Sequence, residues 1–305
     1  MGNIGYFFLK GLMTVLGILP LKVHYFLSAI LAWLIEKVFK YRRNDVLINL
    51  ARCFPEKQYW EIEDLCHKFY RHFADVFAEA LWFGASFGPG RVRRSHIVEL
   101  VNPEKVAHIV NSPKGGVILC SHYGNWELTG GFCQYNYTDT ALDFREDNMC
   151  VVYRQLSSKV WDRILKSHRC AALKDKKAFT GYLESRKVLR YALEHKNEKK
   201  FYMAITDQRP YFETSGKTQV KFFYDTVDSM DGAAALAHKT GMPVMFLHTK
   251  VVKRGRYNWE LIPICEDASQ MSVEKIMKEY YRMLEEEIRQ KPEYYLWTHH
   301  RWWKP

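Results

Sequence analysis

The sequence lacks the features that mark several common classes of protein. It has no internal repeat and no low-complexity segment, so nothing divides it into a string of small domains. Its seven cysteines are scattered and never spaced C-x-x-C, which argues against a zinc site or a disulfide framework and favours a reducing compartment. It has no helix-turn-helix, zinc-finger or aromatic RNA-binding motif, so we do not attribute its net charge of +11 to nucleic acid.

The N-terminus has no clean apolar run of the roughly 20 residues that a membrane span requires. Residues 4–19 and 23–39 are each apolar with a few polar interruptions. We find no convincing small-x-small cleavage site, so we predict an uncleaved membrane anchor over residues 1–40, which spans the bilayer or lies within one leaflet. One catalytic domain over residues 41–305 would follow. The alternative is a pair of amphipathic helices packed on a soluble core.

Basic residues follow these apolar segments directly, at Lys37, Lys40, Arg42 and Arg43. The positive-inside rule then predicts that the downstream domain lies in the cytoplasm. Basic side chains beside a membrane segment are attracted to anionic lipid, so we expect an anionic membrane surface as one partner. The closing segment, residues 292–304, is rich in tyrosine and tryptophan, which favours either the membrane interface or packing against the core.

Alternating strand and helix patterns fill the rest of the chain and predict an α/β fold with a mostly parallel central sheet flanked by helices. The predicted strands are residues 116–121, 149–153, 201–206, 220–224, 244–250 and 259–263. The predicted helices are residues 58–85, 103–111, 126–135, 158–169, 184–195, 231–240 and 272–290.

A histidine ends the first of these strands, in the stretch Gly116-Val-Ile-Leu-Cys-Ser-His122-Tyr-Gly-Asn-Trp-Glu127. A turn at Gly124 and Asn125 would place Glu127 in the first turn of a helix, where its carboxylate could accept the Nδ1 proton of His122. The free Nε2 would then act as a general base. No serine or cysteine nucleophile is evident beside it, because the strand pattern indicates that Cys120 is a small buried core thiol. We therefore predict that the transferred group passes directly to an external alcohol.

Further polar residues follow other strands, and reactive groups gather at the carboxyl ends of strands in such sheets. Arg154 follows the strand 149–153, while Asp207 and Gln208 follow the strand 201–206. Arg154 suits a phosphate or an oxyanion through its planar donors, and a structural salt bridge is the alternative for either charged residue. We expect Arg154, Asp207, Gln208 and Asn125 to bind substrate.

Taken in order, these segments resemble the late lipid A acyltransferases, the lauroyl/myristoyl group of the lysophospholipid acyltransferase superfamily. The resemblance spans nearly the whole chain. It rests on the apolar N-terminus and on Ser121-His-Tyr-Gly-Asn-Trp-Glu127, Tyr153-Arg-Gln-Leu156, Asp207-Gln208, the stretch from Asp231 to Val244, and Tyr295-Leu-Trp-Thr-His-His-Arg301.

The resemblance implies transfer of a fatty acyl chain from acyl carrier protein to a hydroxyl of a lipid A precursor, at the cytoplasmic face of the bacterial inner membrane. It makes His122 and Glu127 the catalytic pair of an HX4D/E motif, and it implies neither a metal nor a cofactor. The segment after Gln208 departs from the family pattern. The same chemistry on an aminolipid or a glycosylated phospholipid, a non-enzymatic membrane-surface binder and a soluble hydrolase remain as alternatives.

Overall fold

The computed structural model describes residues 3–210 and 218–302. Its helices are α1 (Asn3–Ile18), α2 (Leu21–Trp33), α3 (Arg43–Cys53), α4 (Tyr59–Gly84), α5 (Pro89–Ser95), α6 (Ala107–Val110), α7 (Lys159–Arg169), α8 (Val188–Glu194), α9 (Gly232–Thr240) and α10 (Val273–Gln290). Its strands are β1 (Val98–Leu100), β2 (Gly116–Cys120), β3 (Met149–Tyr153), β4 (Tyr182–Glu184), β5 (Phe201–Ile205), β6 (Gln219–Phe222), β7 (Asp225–Asp228), β8 (Val244–Lys253) and β9 (Arg256–Cys265).

Seven of these strands form the central sheet, in the order β1-β9-β8-β2-β5-β3-β4. Strands β8, β2, β5, β3 and β4 run parallel to one another. Strand β9 pairs antiparallel with β8 through a tight turn, and β1 runs parallel to β9. The prediction of a mostly parallel sheet flanked by helices is therefore confirmed.

The predicted strands correspond to six observed strands, with one placed in a different sheet. The segment predicted at residues 220–224 is observed as β6, which among the described strands pairs with β7 in a separate antiparallel hairpin. The sequence patterns missed β1, β4 and β7 because strands of three or four residues are too short to show a periodicity. The pairing of β1 and β4 also depends on strands that are distant in the sequence.

Three predicted helices are shorter or tighter than expected. Residues 103–111 and 184–195 each split into a 3-10 turn and a short α-helix. The segment Trp126–Gln134 is a 3-10 helix throughout. Adjacent glycines at 130 and 131 weaken an α-helix there, and a Cβ atom on Gly130 would clash with the carbonyl oxygen of Arg169. The helix is thus shaped by the close approach of the end of α7.

Core residues cover both faces of the sheet, as β2 illustrates. Val117 and Leu119 belong to one buried cluster, whereas Ile118 and Cys120 belong to a second cluster on the opposite face. All five residues of β2 are buried because helices cover both sides, which is why the strand reads as a continuous apolar run. Cys120 is confirmed as a core thiol, and burial raises its pKa.

The two N-terminal helices meet at a bend of 114° near Pro20. Proline disfavours a helical conformation at the residue before it, so the chain breaks there. Among the described residues no single helix is long and apolar enough to cross a membrane, although the bent pair passes that test together. The predicted anchor over residues 1–40 and its boundary with a domain over residues 41–305 therefore stay predictions.

The C-terminal aromatic residues that the structure describes pack in the core. Tyr295, Trp297 and Trp302 are buried, and the indole N–H of Trp297 donates to the carbonyl of Pro292 at 2.7 Å. Packing therefore explains these three rings. Trp303 lies outside the described residues, and so does most of the segment after Gln208 that departs from the family pattern, residues 211–217.

Candidate active site

The register of the sheet brings His122 and Asp207 together. Strands β2 and β5 are parallel neighbours, with Cys120 opposite Ile205 at their carboxyl ends. His122 and Asp207 each lie two residues beyond those aligned ends, so their side chains emerge at the same edge of the sheet. His122 Nδ1 lies 2.7 Å from Asp207 Oδ1, and the backbone N–H of His122 donates to Asp207 Oδ2 at 3.1 Å.

The Asp207 carboxylate is well suited to hold this histidine. Its side chain is fully buried, while that of His122 remains 12% exposed. Burial alone would raise the pKa of Asp207, but the charge of His122 and the hydrogen bonds from its ring and backbone outweigh burial and hold that pKa below its usual range. An ionised Asp207 keeps the proton on Nδ1 and leaves Nε2 as the acceptor.

The predicted hydrogen bond from His122 to Glu127 is wrong. The Glu127 carboxylate instead forms a bidentate ion pair with Arg169, at 2.7 Å to Nε and 2.6 Å to Nη2. Arg169 also donates to the hydroxyl of Tyr182 at 2.8 Å. Glu127 lies in the first turn of a 3-10 helix that faces the end of α7, so its side chain reaches α7 rather than the Nδ1 atom that Asp207 already occupies. Whether Glu127 takes part in catalysis stays a prediction.

Glu127 nevertheless lies within electrostatic reach of His122. Burial would raise its pKa, yet the Arg169 guanidinium, with a smaller contribution from His122, holds that pKa below its usual value. The site therefore has two ionised carboxylates near one imidazole. One is hydrogen-bonded to the imidazole, and the other acts through space.

The turn between β2 and the next helix is held by its own residues. Gly124 has φ +66, a conformation that glycine adopts without strain. Asn125 is buried, and its Oδ1 accepts the backbone N–H of Glu127 at 3.1 Å, which caps the helix. Its amide nitrogen donates to Glu79 on α4 at 2.7 Å. Both ends of the Asn125 amide are thus used within the protein, and its predicted contact with substrate stays a prediction.

Gln208 and His299 lie beside His122 Nε2, the ring nitrogen that Asp207 does not contact. The amide nitrogen of Gln208 lies 3.1 Å from His122 Nε2 and 3.1 Å from His299 Nε2, so it donates to both rings. The His299 ring is 4.9 Å from the His122 ring, and Trp126 packs edge-on at the same distance. Burial and the nearby charge of His122 lower the pKa of His299 to about 3, so this ring stays neutral.

Sequence reasoning did not single out His299 as a site residue. The C-terminal segment carries it there, because the backbone N–H of Leu296 donates to the His122 carbonyl at 3.1 Å and Gly124 donates to Tyr294 at 3.0 Å. The only available signal was the closing segment of the family resemblance, which contains His299 without assigning it a role. Arg169 was missed for a similar reason, since it ends a helix far from His122 in the sequence.

Arg154 lies at the carboxyl end of β3, one strand beyond β5, and is exposed. Its predicted role in binding substrate stays a prediction. Within residues 3–210 and 218–302 no three histidine, cysteine, aspartate or glutamate side chains converge as metal ligands. What the described side chains assemble is a general base: an imidazole oriented by a buried carboxylate, with Nε2 hydrogen-bonded to Gln208 at the carboxyl edge of the sheet.

The fold and the site thus define an α/β protein with a histidine base at the carboxyl edge of a parallel sheet. The chain belongs to the bacterial lipid A biosynthesis acyltransferase family, whose profile matches residues 2–304. No curated protein matches the sequence. The family identifies an acyltransferase that acts on a lipid, in agreement with the resemblance seen in the sequence.

Proposed function

We propose that the protein transfers a fatty acyl chain from the thioester of acyl carrier protein to a hydroxyl of a lipid A precursor. One observation carries this proposal: buried Asp207 holds Nδ1 of His122, so Nε2, which accepts a hydrogen bond from Gln208, is the nitrogen left to take a proton. A base without an adjacent covalent nucleophile suits direct attack by the acceptor hydroxyl on the acyl donor.

In this reaction His122 Nε2 accepts the hydroxyl proton while the hydroxyl oxygen bonds to the thioester carbonyl carbon. The tetrahedral intermediate then collapses, the carbon–sulfur bond breaks, and the imidazolium returns its proton to the departing thiolate. The products are an ester and the free thiol of the carrier protein. Asp207 stabilises the imidazolium during the step, and the charge of Glu127 adds to that stabilisation.

Gln208 and Arg154 are the proposed donors to the substrates. The acceptor hydroxyl would replace Gln208 at Nε2, and the displaced amide would then lie close enough to donate to the developing oxyanion. Arg154, exposed at the end of β3, would bind a phosphate of the acceptor or the thioester oxygen.

A mostly apolar cavity lies next to the Arg169–Glu127 ion pair and is the proposed place for the acyl chain. Its apolar lining suits a hydrocarbon chain rather than a sugar, but the cavity has room for only about one water molecule. Its lining side chains would therefore have to move apart to admit the acyl chain. Its lining side chains include Phe132, Cys133, Met149, Val151, Leu173 and Phe179.

We further propose that the N-terminal helix pair attaches the protein to the cytoplasmic face of the bacterial inner membrane. Helices α1 and α2 expose large apolar side chains, among them Phe7, Phe8, Val15 and Phe26, each at least 64% exposed. The adjacent basic cluster and the net charge of +11 suit both an anionic membrane surface and an acidic carrier protein.

The test is transfer of a labelled acyl chain from acyl carrier protein in detergent, with a lipid A precursor, an aminolipid and a glycosylated phospholipid offered as separate acceptors. We expect acylation of the lipid A precursor and its loss in His122→Ala with folding intact. Acylation of another lipid alone would overturn the acceptor but keep the chemistry. Transfer that persists in His122→Ala would overturn the mechanism, and release of free fatty acid alone would indicate a hydrolase.

A further inference from the structure

Glu79 is a buried carboxylate outside the set of residues that face the substrate. It lies near the C-terminal end of α4 and is fully buried. Three donors converge on it: the hydroxyl of Tyr25 at 2.7 Å, the amide of Asn125 at 2.7 Å and the hydroxyl of Tyr257 at 2.8 Å. Burying a carboxylate costs free energy that its hydrogen bonds offset only in part, so this arrangement calls for a role.

These three donors come from three different parts of the protein. Tyr25 belongs to α2, Tyr257 belongs to β9, and Asn125 lies in the turn that follows His122. Because Glu79 accepts the Asn125 amide nitrogen, the Asn125 oxygen is left to cap the N–H of Glu127. The acceptor oxygen of Glu79 therefore selects the orientation of Asn125 that supports the first turn after the base.

We propose that Glu79 is a positioning residue for the turn that carries His122 and Glu127, and that Tyr25 makes helix α2 part of this support. The N-terminal helix pair then does more than attach the protein to a surface, because the chain of contacts Tyr25–Glu79–Asn125 connects it to the active-site turn. The catalytic part of this inference rests on the proposed acyl transfer.

A second contact of α2 with α4 offers a matched control. Ser28, one turn beyond Tyr25, is buried and donates to Asp75 on α4. Asp75 also forms an ion pair with Arg254. In the described part of the chain, neither Asp75 nor Arg254 forms a hydrogen bond to the residues that follow His122. Tyr25→Phe and Ser28→Ala each remove one hydroxyl that bonds to a carboxylate of α4, but only Tyr25→Phe breaks the path to Asn125. Phenylalanine also keeps an aromatic ring beneath the Arg254 guanidinium.

The experiment compares Tyr25→Phe, Ser28→Ala and Glu79→Gln with the native full chain in detergent. We expect Tyr25→Phe to lower kcat about three- to tenfold with KM for both substrates nearly unchanged, the size expected for one hydrogen bond that orients a catalytic group. Glu79→Gln should lower kcat at least as much, because one amide oxygen cannot accept from all three donors. Ser28→Ala should keep the native kcat even where its thermal stability falls as far as that of Tyr25→Phe.

Amide hydrogen exchange of the segment 121–128 supplies a readout that does not depend on activity. Exchange there should speed up in Tyr25→Phe and Glu79→Gln and stay native in Ser28→Ala. Equal kcat values and equal exchange in Tyr25→Phe and Ser28→Ala would overturn the proposal, and faster exchange with native kcat would remove its catalytic part. If the native protein proves inactive in acyl transfer, the proposed function fails, whereas the exchange comparison still decides whether Glu79 holds the turn.

Discussion

Two carboxylates near one histidine have different environments, and this difference separates their roles. Asp207 is hydrogen-bonded to the ring and to the backbone of His122, whereas Glu127 is engaged by Arg169. A carboxylate bonded to Nδ1 sets the tautomer, which a carboxylate acting through space cannot do. The chemistry should therefore depend more steeply on Asp207.

We expect Asp207→Asn to lower kcat by about 100- to 10,000-fold, because the ring can then place its proton on the wrong nitrogen. Glu127→Gln should lower kcat only about tenfold, the effect of removing one nearby charge in a partly screened site. Steady-state acyl transfer measures both effects, and Asp139→Asn, an exposed acid, is the control. A larger loss in Glu127→Gln would make Glu127 the principal partner of the base.

Glu79 also predicts a pH dependence of stability. Burial raises its pKa to about 7, against the opposing hydrogen bonds from Asn125, Tyr25 and Tyr257, while the negative charge of Asp75 raises it further. A carboxyl whose pKa is higher in the folded state than in the unfolded state binds more protons when folded. Its contribution to the free energy of unfolding is therefore present at low pH and is lost as pH rises.

The free energy of unfolding of the native protein, relative to that of Glu79→Gln, should therefore fall between about pH 4.3 and pH 7. Denaturant unfolding at several pH values measures this difference, and the titrations of other groups cancel in the comparison. Parallel pH curves for the two proteins would show that Glu79 titrates normally.

At the scale of elements, the turn after β2 depends on Gly124, where any other residue would introduce strain. Gly124 has a positive φ, and a Cβ atom there would meet the Cγ2 atom of Thr249 on β8 at 2.6 Å. The turn thus passes very close to a neighbouring strand. This approach helps to hold His122 at the edge of the sheet.

Gly124→Ala should lower the free energy of unfolding by about 1–3 kcal/mol and reduce activity as well, because backbone strain and the contact with Thr249 both act on the turn. Adding Thr249→Ser removes Cγ2 and should restore part of the loss. Gly232→Ala, at a helix start with open space around the new methyl group, is the matched control and should be neutral or stabilising. Equal effects of Gly124→Ala and Gly232→Ala would contradict the assigned role of the turn.

At the scale of the whole molecule, one surface differs from the rest. Helices α1 and α2 together expose a set of phenylalanine, leucine, isoleucine and valine side chains, while their buried sides pack against α4. A surface of this kind on a basic protein favours attachment to a membrane. The site is connected to it through α4.

We expect Leu12→Ser with Leu27→Ser to weaken binding to vesicles containing phosphatidylglycerol by about tenfold or more, since each leucine contributes roughly 1.5–3 kcal/mol when buried in hydrocarbon. Leu189→Ser with Leu193→Ser, on α8, removes leucines of similar exposure and should bind like the native protein. Co-sedimentation with the vesicles measures binding. A similar loss in both pairs, or in neither, would count against α1 and α2 as the membrane surface.

Much of the fold followed from local patterns. The apolar run of β2 and the amphipathic pattern of α4 appear in the sequence because burial acts on residues that are neighbours along the chain. The shortest strands did not, since β1 and β4 owe their existence to partners far away in the chain. Of the hairpin β6–β7, the sequence pattern predicted only β6. Buried and exposed residues alternate along β6, whereas β7 has an acidic residue at each end.

The sequence by itself determined that a histidine would end a buried strand and that Asp207 would end another, because strand ends are set by local composition. Only the tertiary structure decided which carboxylate bonds to that histidine. Asp207 lies 85 residues from His122 and reaches it because β2 and β5 are neighbours in the sheet, while nearby Glu127, in the first turn of the following helix, contacts Arg169 instead. Proximity in sequence sets which elements form, but the order of strands in the sheet sets which side chains meet.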